Sequence, residues 1–342
     1  MEQFRVILNY IVKGIILVFF LGISQCHPVN QAVIVYVSVD QNYAQPVIQK
    51  FEKRTGIKVL PVFDMEAAKT TGLVNRMIAE KNNPQADVFW SGEFVQTIAL
   101  KEAGILSAYK SPNAAQIPDR YKDTAGFWTG FSGRARVILV NTTKLVESQY
   151  PQSIIDLIES DLPPEEIGMA RPLFGTTYTH AAALYAYWGQ SDANAFFSMI
   201  NSKGIQILDG NSSVRDFVAS GKLSFGLTDT DDACKALKRG DPVKLIFPDQ
   251  DSFGTLVVPN TVALVGGGPH PLEARMFIDY LLEMETLEDM IASGWCHVPL
   301  RETAIKPECI GDLGIKIMDI DLMDIYYSYR QNRDKLINTF LR

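Results

Sequence analysis

Beyond residue 32 the apolar positions follow two rhythms: short unbroken runs, and longer stretches in which they recur every three or four residues. Runs of that length predict strands, and the helical rhythm predicts amphipathic helices. Strands are expected at 33–37, 57–62 and 86–90, with helices over 44–55, 70–81 and 94–103; Gly56 and Gly104 stop the first and third helices. The middle of the chain predicts strands at 136–140, 167–170, 205–208 and 223–227, and helices over 154–159, 179–189, 196–201 and 213–219. A long apolar stretch, 255–265, is expected to leave one half of the molecule and enter the other, with helices over 271–284 and 285–293 returning. This alternation predicts an α/β protein with mostly parallel sheets, whose ligand side lies beyond the carboxyl ends of the strands, here after Val37, Val62 and Trp90. No Gly/Ser linker separates the halves, so continuous strands are expected to join two lobes as a hinge.

The length of 342 residues and the 47% hydrophobic, 21% charged composition suit a folded protein of about two domains. A net charge of −7 argues against a nucleic-acid-binding surface. The first 25 residues differ from the rest: Arg5 and Lys13 precede an apolar run, Gly14 to Gly22, and then Ile23-Ser-Gln-Cys26. This reads as an export signal over 1–25. Three fates fit it, in this order: lipidation of Cys26, cleavage nearby to a soluble secreted form, or retention as a single membrane anchor. Four cysteines match no zinc spacing. Cys296 and Cys309, close in sequence, are the pair expected to be bonded in an oxidising compartment, with two buried thiols as the alternative and Cys234 left over.

The stretches Val35-Tyr-Val-Ser-Val-Asp40, Phe51-Glu-Lys-Arg-Thr-Gly-Ile-Lys-Val59, Pro84-Gln-Ala-Asp-Val-Phe-Trp90, Gly133-Arg-Ala-Arg-Val137, Asp209-Gly-Asn-Ser-Ser-Val214 and Pro259-Asn-Thr-Val-Ala263 occur in this order and spacing. In them the chain resembles the extracellular solute-binding proteins of ABC importers, in the branch of the periplasmic ferric-binding proteins. The resemblance implies a type II periplasmic-binding fold: two α/β lobes, two crossover hinge strands and a ligand cleft between the lobes. The lobes are expected at 30–135 with 262–310, and at 136–261 with 311–342. It also implies an extracytoplasmic, periplasmic location, membrane contact only through the signal or a lipid, a monomer, and delivery of cargo to a permease driven by a cytoplasmic ATPase.

In ferric-binding relatives the metal is held by a side chain after the first strand, a glutamate after the third, and two adjacent tyrosines. The corresponding positions are Asp40, Glu93 and, in place of the tyrosines, Asp231 and Asp232 within Thr228-Asp-Thr-Asp-Asp232. The resemblance further implies a small anion beside the metal, held by an arginine, a helix start and an asparagine. Arg134 and Arg136, Thr176 and Thr177 at a helix start, and Asn211 supply such groups. Related branches carry phosphorylated sugars or phosphonates.

Three carboxylates within four residues, Asp229, Asp231 and Asp232, facing Asp40 and Glu93, are expected to repel one another unless a cation neutralises them. All-oxygen donors suit Fe³⁺ or another hard cation, and a protonated amine would answer the same charge. The alternative is that Asp229 or Asp232 caps the following helix. Trp90 and Tyr178 are the aromatics expected to line the cleft, and His180 is either a ligand or a helix-face histidine. The chain carries no H-E-x-x-H, G-x-S-x-G, P-loop or G-x-G-x-x-G after a strand, so an extracytoplasmic enzyme is the poorer reading and no cofactor is expected. The expected function is capture of ferric iron with a companion anion for an ABC importer. The alternative is capture of a phosphorylated, phosphonate or carboxylate organic solute.

Overall fold

The structure is a computed structural model that describes residues 31–64, 71–295, 298–311 and 314–341. The expected export signal, Cys26 and Cys296 lie outside the described residues, among which no helix is long and apolar enough to cross a membrane. The first third holds β1 (Ala32–Val37), α1 (Gln41–Thr55), β2 (Lys58–Phe63), α2 (Thr71–Ala79), β3 (Val88–Ser91), α3 (Val95–Glu102) and β4 (Leu106–Ser107). There follow β5 (Thr129–Asn141), α4 (Asp156–Glu159), β6 (Ile167–Ala170), α5 (Gly175–Lys203), β7 (Gln206–Leu208), α6 (Asn211–Ala219), β8 (Phe225–Asp229), α7 (Thr230–Arg239) and β9 (Val243–Ile246). The chain closes with β10 (Val257–Val265), α8 (Pro271–Leu281), α9 (Met284–Ala292), β11 (Val298–Pro299) and α10 (Leu322–Phe340).

The strands form one continuous sheet in the order β2-β1-β3-β10-β5-β8-β6-β7. Its two flanks are parallel, β1 with β2 and β3, and β6 with β7 and β8. Its middle is antiparallel, which corrects the expectation of mostly parallel pairing. The cause is the connection between lobes: β5 carries the chain out and β10 carries it back, so each runs against its neighbours. α8 packs on β1 and β10, α6 and α7 pack on β5 and β8, and their buried residues join one hydrophobic cluster. The register of β10 against β5 shifts between Asn260 and Thr261, a bulge that lets a crossover strand bend.

The helix pattern is close to expectation, with α5 joining the two helices predicted over 179–201 through a non-helical Gly189. β5 starts seven residues before its predicted beginning. Those residues include Gly130, where a Cβ would stand 2.9 Å from the Tyr121 carbonyl oxygen, so the strand there needs a glycine that carries no strand signal. α10 was not predicted, because Arg330, Asn332, Arg333 and Lys335 break up its apolar rhythm. Its buried Leu322, Ile325, Tyr326 and Leu336 nevertheless share a face, and it packs along α5 and against α3. Cys309 is bonded to Cys234 of α7, with Cα atoms 5.6 Å apart, so Cys234 is not left over as expected. Nearness in sequence was the wrong guide; the fold brings a partner 75 positions away.

Candidate functional site

The antiparallel ladder of β5 and β8 sets Arg136 directly opposite Asp229. Neither side chain reaches solvent, and Arg136 Nη1 donates to Asp229 Oδ1 at 2.5 Å. Asp229 stands at the cap position of α7 but makes no capping hydrogen bond with its side chain. Its second oxygen accepts instead from Thr176 Oγ1 at 2.5 Å and Asn211 Nδ2 at 2.8 Å. Thr176 is in the first turn of α5 and Asn211 opens α6. The starts of three helices therefore meet around one carboxylate, each contributing the partial positive charge of its first turn. Gly175, with φ 58°, provides the left-handed turn that leads the chain into α5.

Arg136 Nη1 also lies 3.3 Å from Thr176 Oγ1 and 3.2 Å from Asn211 Oδ1. Thr177 Oγ1 donates to the same Asn211 oxygen at 3.2 Å. Arg136 Nε donates to His180 Nδ1 at 3.4 Å. Burial, together with that guanidinium, holds the His180 pKa well below the usual histidine range, so the ring is a neutral acceptor. Arg136 Nη2 is buried with no acceptor among the described residues.

Two residues earlier on the same face of β5, Arg134 Nη1 stands 3.5 Å from Asp231 Oδ2. Both side chains are about a quarter exposed. Burial works to lower the Arg134 pKa, but Asp231, Asp229, Asp40 and Asp232 overcome it and raise the value. The guanidinium thus senses carboxylates from both lobes. Its Nη2 lies against Gly92, where a Cβ would be 3.6 Å away. That loop is tied to the loop after β1, since Gly92 N donates to Ser38 Oγ and Ser38 N to the Trp90 carbonyl.

Asp232 pairs with Arg215 of α6 at 2.7 Å. Burial, and then the neighbouring Asp231 and Asp229, push its pKa up to about 7 against the pull of Lys235 and Arg215. Oxygens of Asp229, Asp231 and Asp232 lie within 4.8 Å of one another. Each carboxylate of the trio faces a guanidinium, Arg136, Arg134 or Arg215, the last shared with Asp216. Arg215 escaped the sequence reading, although its place one helical turn after Asn211 was a usable signal.

Glu93 is buried, accepting from Thr179 Oγ1 of α5 at 3.1 Å and from Gln96 N at 3.3 Å. Burial pushes its pKa up to about 7. Asp40 stands at the cap position of α1 and, with Ser38, Gln41, Asn42, Phe63 and Asp64, lines a cavity of about 360 Å³. Asp64, just past β2 at a strand carboxyl end, was not singled out in the sequence.

Two expected cleft residues belong elsewhere. Trp90 is fully buried, with its ring centroid 6.4 Å from Phe131, 6.2 Å from Phe277 and 5.8 Å from Trp295. β3 lies between β1 and β10 and is buried on both faces, so every side chain on it is core. Tyr178 stacks on Tyr329 of α10 with centroids 3.8 Å apart, and its hydroxyl donates to the Tyr329 carbonyl. Asp40, Glu93, Arg134, Arg136, Thr176, Thr177, Asn211, Asp229, Asp231 and Asp232 are gathered where the loops after β1 and β3 meet the starts of α5, α6 and α7.

Residues 83–312 match the family described as bacterial extracellular solute-binding protein. The chain belongs to this family. This solute-binding protein is 23% identical to the Fe(3+)-binding periplasmic protein of Serratia marcescens over 264 residues, 75% of each chain. Among solved structures it resembles the apo ferric ion-binding protein A of Pasteurella haemolytica, with a TM-score of 0.79 and 21% identity over 90% of this chain and 97% of that one. It also resembles the periplasmic binding protein AfuA of Actinobacillus pleuropneumoniae with fructose-6-phosphate bound, with a TM-score of 0.75 and 25% identity over 91% and 98% of the two chains. The solute-binding protein accordingly has the type II periplasmic-binding fold, two α/β lobes joined by β5 and β10. A family of solute carriers, not enzymes, agrees with the reading of the motifs, and such a carrier implies a permease partner.

Proposed function

We propose that this protein captures ferric iron in the cleft between its lobes and passes it to the permease of an ABC importer driven by a cytoplasmic ATPase. It acts as a monomer, held at the membrane by a lipid on Cys26. The observation that carries the reading is the place of Arg134, 3.5 Å from Asp231 at the start of α7 and against Gly92 in the loop after β3. A cation entering the cleft meets oxygen donors from both lobes, and oxygen is the donor that ferric iron prefers. The Arg134–Asp231 contact at 3.5 Å is longer and more exposed than the Arg136–Asp229 and Arg215–Asp232 pairs, so it is the one that yields to an incoming cation. Asp40, Asp231, Asp232 and Glu93 are the proposed ligands. The Serratia relative's ferric iron supports the cargo. The lobes are proposed at 30–135 with 262–310 and at 136–261 with 311–342, the limits after 135 and before 262 lying within β5 and β10.

A second reading, an organic phosphate, phosphonate or carboxylate, is favoured by one observation: the similar AfuA structure holds a sugar phosphate. Native mass spectrometry of the mature protein purified without chelator, with metal analysis of the same sample, separates the two. Stoichiometric iron supports the first reading. A bound organic mass without metal replaces it with the second.

A further inference from the structure

Arginine, a threonine hydroxyl, an asparagine amide and the starts of three helices converging on one point make an oxyanion site by their chemistry alone. In this protein that point is taken. Asp229 Oδ1 accepts from Arg136 Nη1, and Oδ2 accepts from Thr176 Oγ1 and Asn211 Nδ2. We infer that the Asp229 carboxylate is a built-in anion that fills the Arg136–Thr176–Asn211 pocket, so that cargo binds without a companion oxyanion and free phosphate is refused there.

Three features keep the carboxylate in place. Its backbone is fixed in the ladder directly opposite Arg136, so leaving the pocket means giving up the hydrogen bonds from Arg136, Thr176 and Asn211. It is the residue from which α7 starts, and only 2% of it is exposed. A tethered group also competes at an effective concentration far above that of a dissolved anion. A second anion would bring an uncompensated negative charge into a site where one guanidinium already balances one carboxylate. Arg136 Nη2 is the donor left over, and a single buried nitrogen cannot replace the hydration shell of a phosphate.

The inference about cargo rests on the ferric reading, but occupancy of the pocket does not, and the test keeps the two apart. Inorganic phosphate is titrated calorimetrically into the metal-free mature protein, into Asp229→Ser, and into Asp229→Asn, which keeps the side-chain volume should the serine variant not fold. The expected result is no binding by the unmodified protein at concentrations up to about 10 mM and at least tenfold tighter binding by the folded variant. Adding Arg136→Ala to that variant is expected to abolish the gain. Phosphate binding by the unmodified protein as tight as by the variant, or no gain in either variant, overturns the inference. In parallel, ferric affinity is measured by chelator competition with and without bicarbonate. Affinity unchanged within twofold is expected; a rise of tenfold or more with bicarbonate also overturns the inference. Absence of ferric binding in both buffers overturns the cargo reading alone, and the phosphate titration still decides the role of Asp229.

Discussion

Arg136 and Asp229, opposed across the β5–β8 ladder, form a 2.5 Å ion pair with neither partner open to water. Removing one partner leaves the other charged and buried. Arg136→Ala or Asp229→Ala is therefore expected to destabilise the protein by about 3–5 kcal/mol, while the paired change Arg136→Met with Asp229→Leu costs less than either. Urea unfolding of the three variants measures this. Equal losses in the single and paired variants would show that the pair is not a coupled unit.

Asp231 and Asp232 are proposed ligands on α7, and each is held by an arginine rather than buried alone. Asp231→Ala combined with Asp232→Ala should abolish cation-dependent closure and weaken ferric binding by at least a hundredfold, about 2.7 kcal/mol. Small-angle scattering with and without ferric iron follows closure, and chelator competition follows affinity. An unchanged affinity would remove both residues from the site.

Glu93 sets a pH dependence whose sign follows from its raised pKa. Its carboxyl takes up protons in the folded state up to about pH 7, against an ordinary value of 4.5. Between those values the unfolded chain has lost its proton and the folded one has not, so the stability of the metal-free protein falls as the pH rises through that window. The loss from Glu93 is on the order of 3 kcal/mol. Asp232, also raised to about 7, acts in the same direction. Melting temperatures from pH 4.5 to 8 measure the effect, and Glu93→Gln should flatten the curve. A curve that is equally steep in the variant would assign the dependence elsewhere.

The Cys234–Cys309 bond ties α7, which carries Asp231 and Asp232, to the segment after β11. It closes a loop of 75 positions, so Cys234→Ser with Cys309→Ser should lower stability by about 2–5 kcal/mol. Thermal unfolding with and without reductant checks this. Reductant should shift the unmodified protein and leave the double variant where it is.

The strands and helices that alternate apolar and polar residues were legible in the sequence, as β6 at Ile167–Ala170 illustrates. Elements whose sequence serves a second purpose were not. The first half of β5 needs glycine for close packing, and α10 spreads polar residues through its apolar face. In the site, Asp229, Arg136, Thr176 and Asn211 were legible as chemical groups because charged and capping residues stand out near strand and helix ends. Their partners were not. Pairing of Asp229 with Arg136, Asp231 with Arg134 and Asp232 with Arg215 depends on ladder register and helix docking, which are tertiary facts. Trp90 misled for a similar reason: its position at a strand's carboxyl end pointed to the cleft, but burial of β3 on both faces sends its ring into the core.

Arg134 and Arg136 share one face of β5, the strand that passes from one lobe into the other. In a closure that bends the crossover strands, the pair would lie within the bending region, whereas Asp40 and Glu93 stand on the loops after β1 and β3. Under the proposed function, opening the lobes would separate a bound cation from the carboxylates of one lobe, with Arg134 able to re-form its 3.5 Å contact with Asp231. The same arginine would then balance the charge of the emptied cleft and oppose rebinding of the cation.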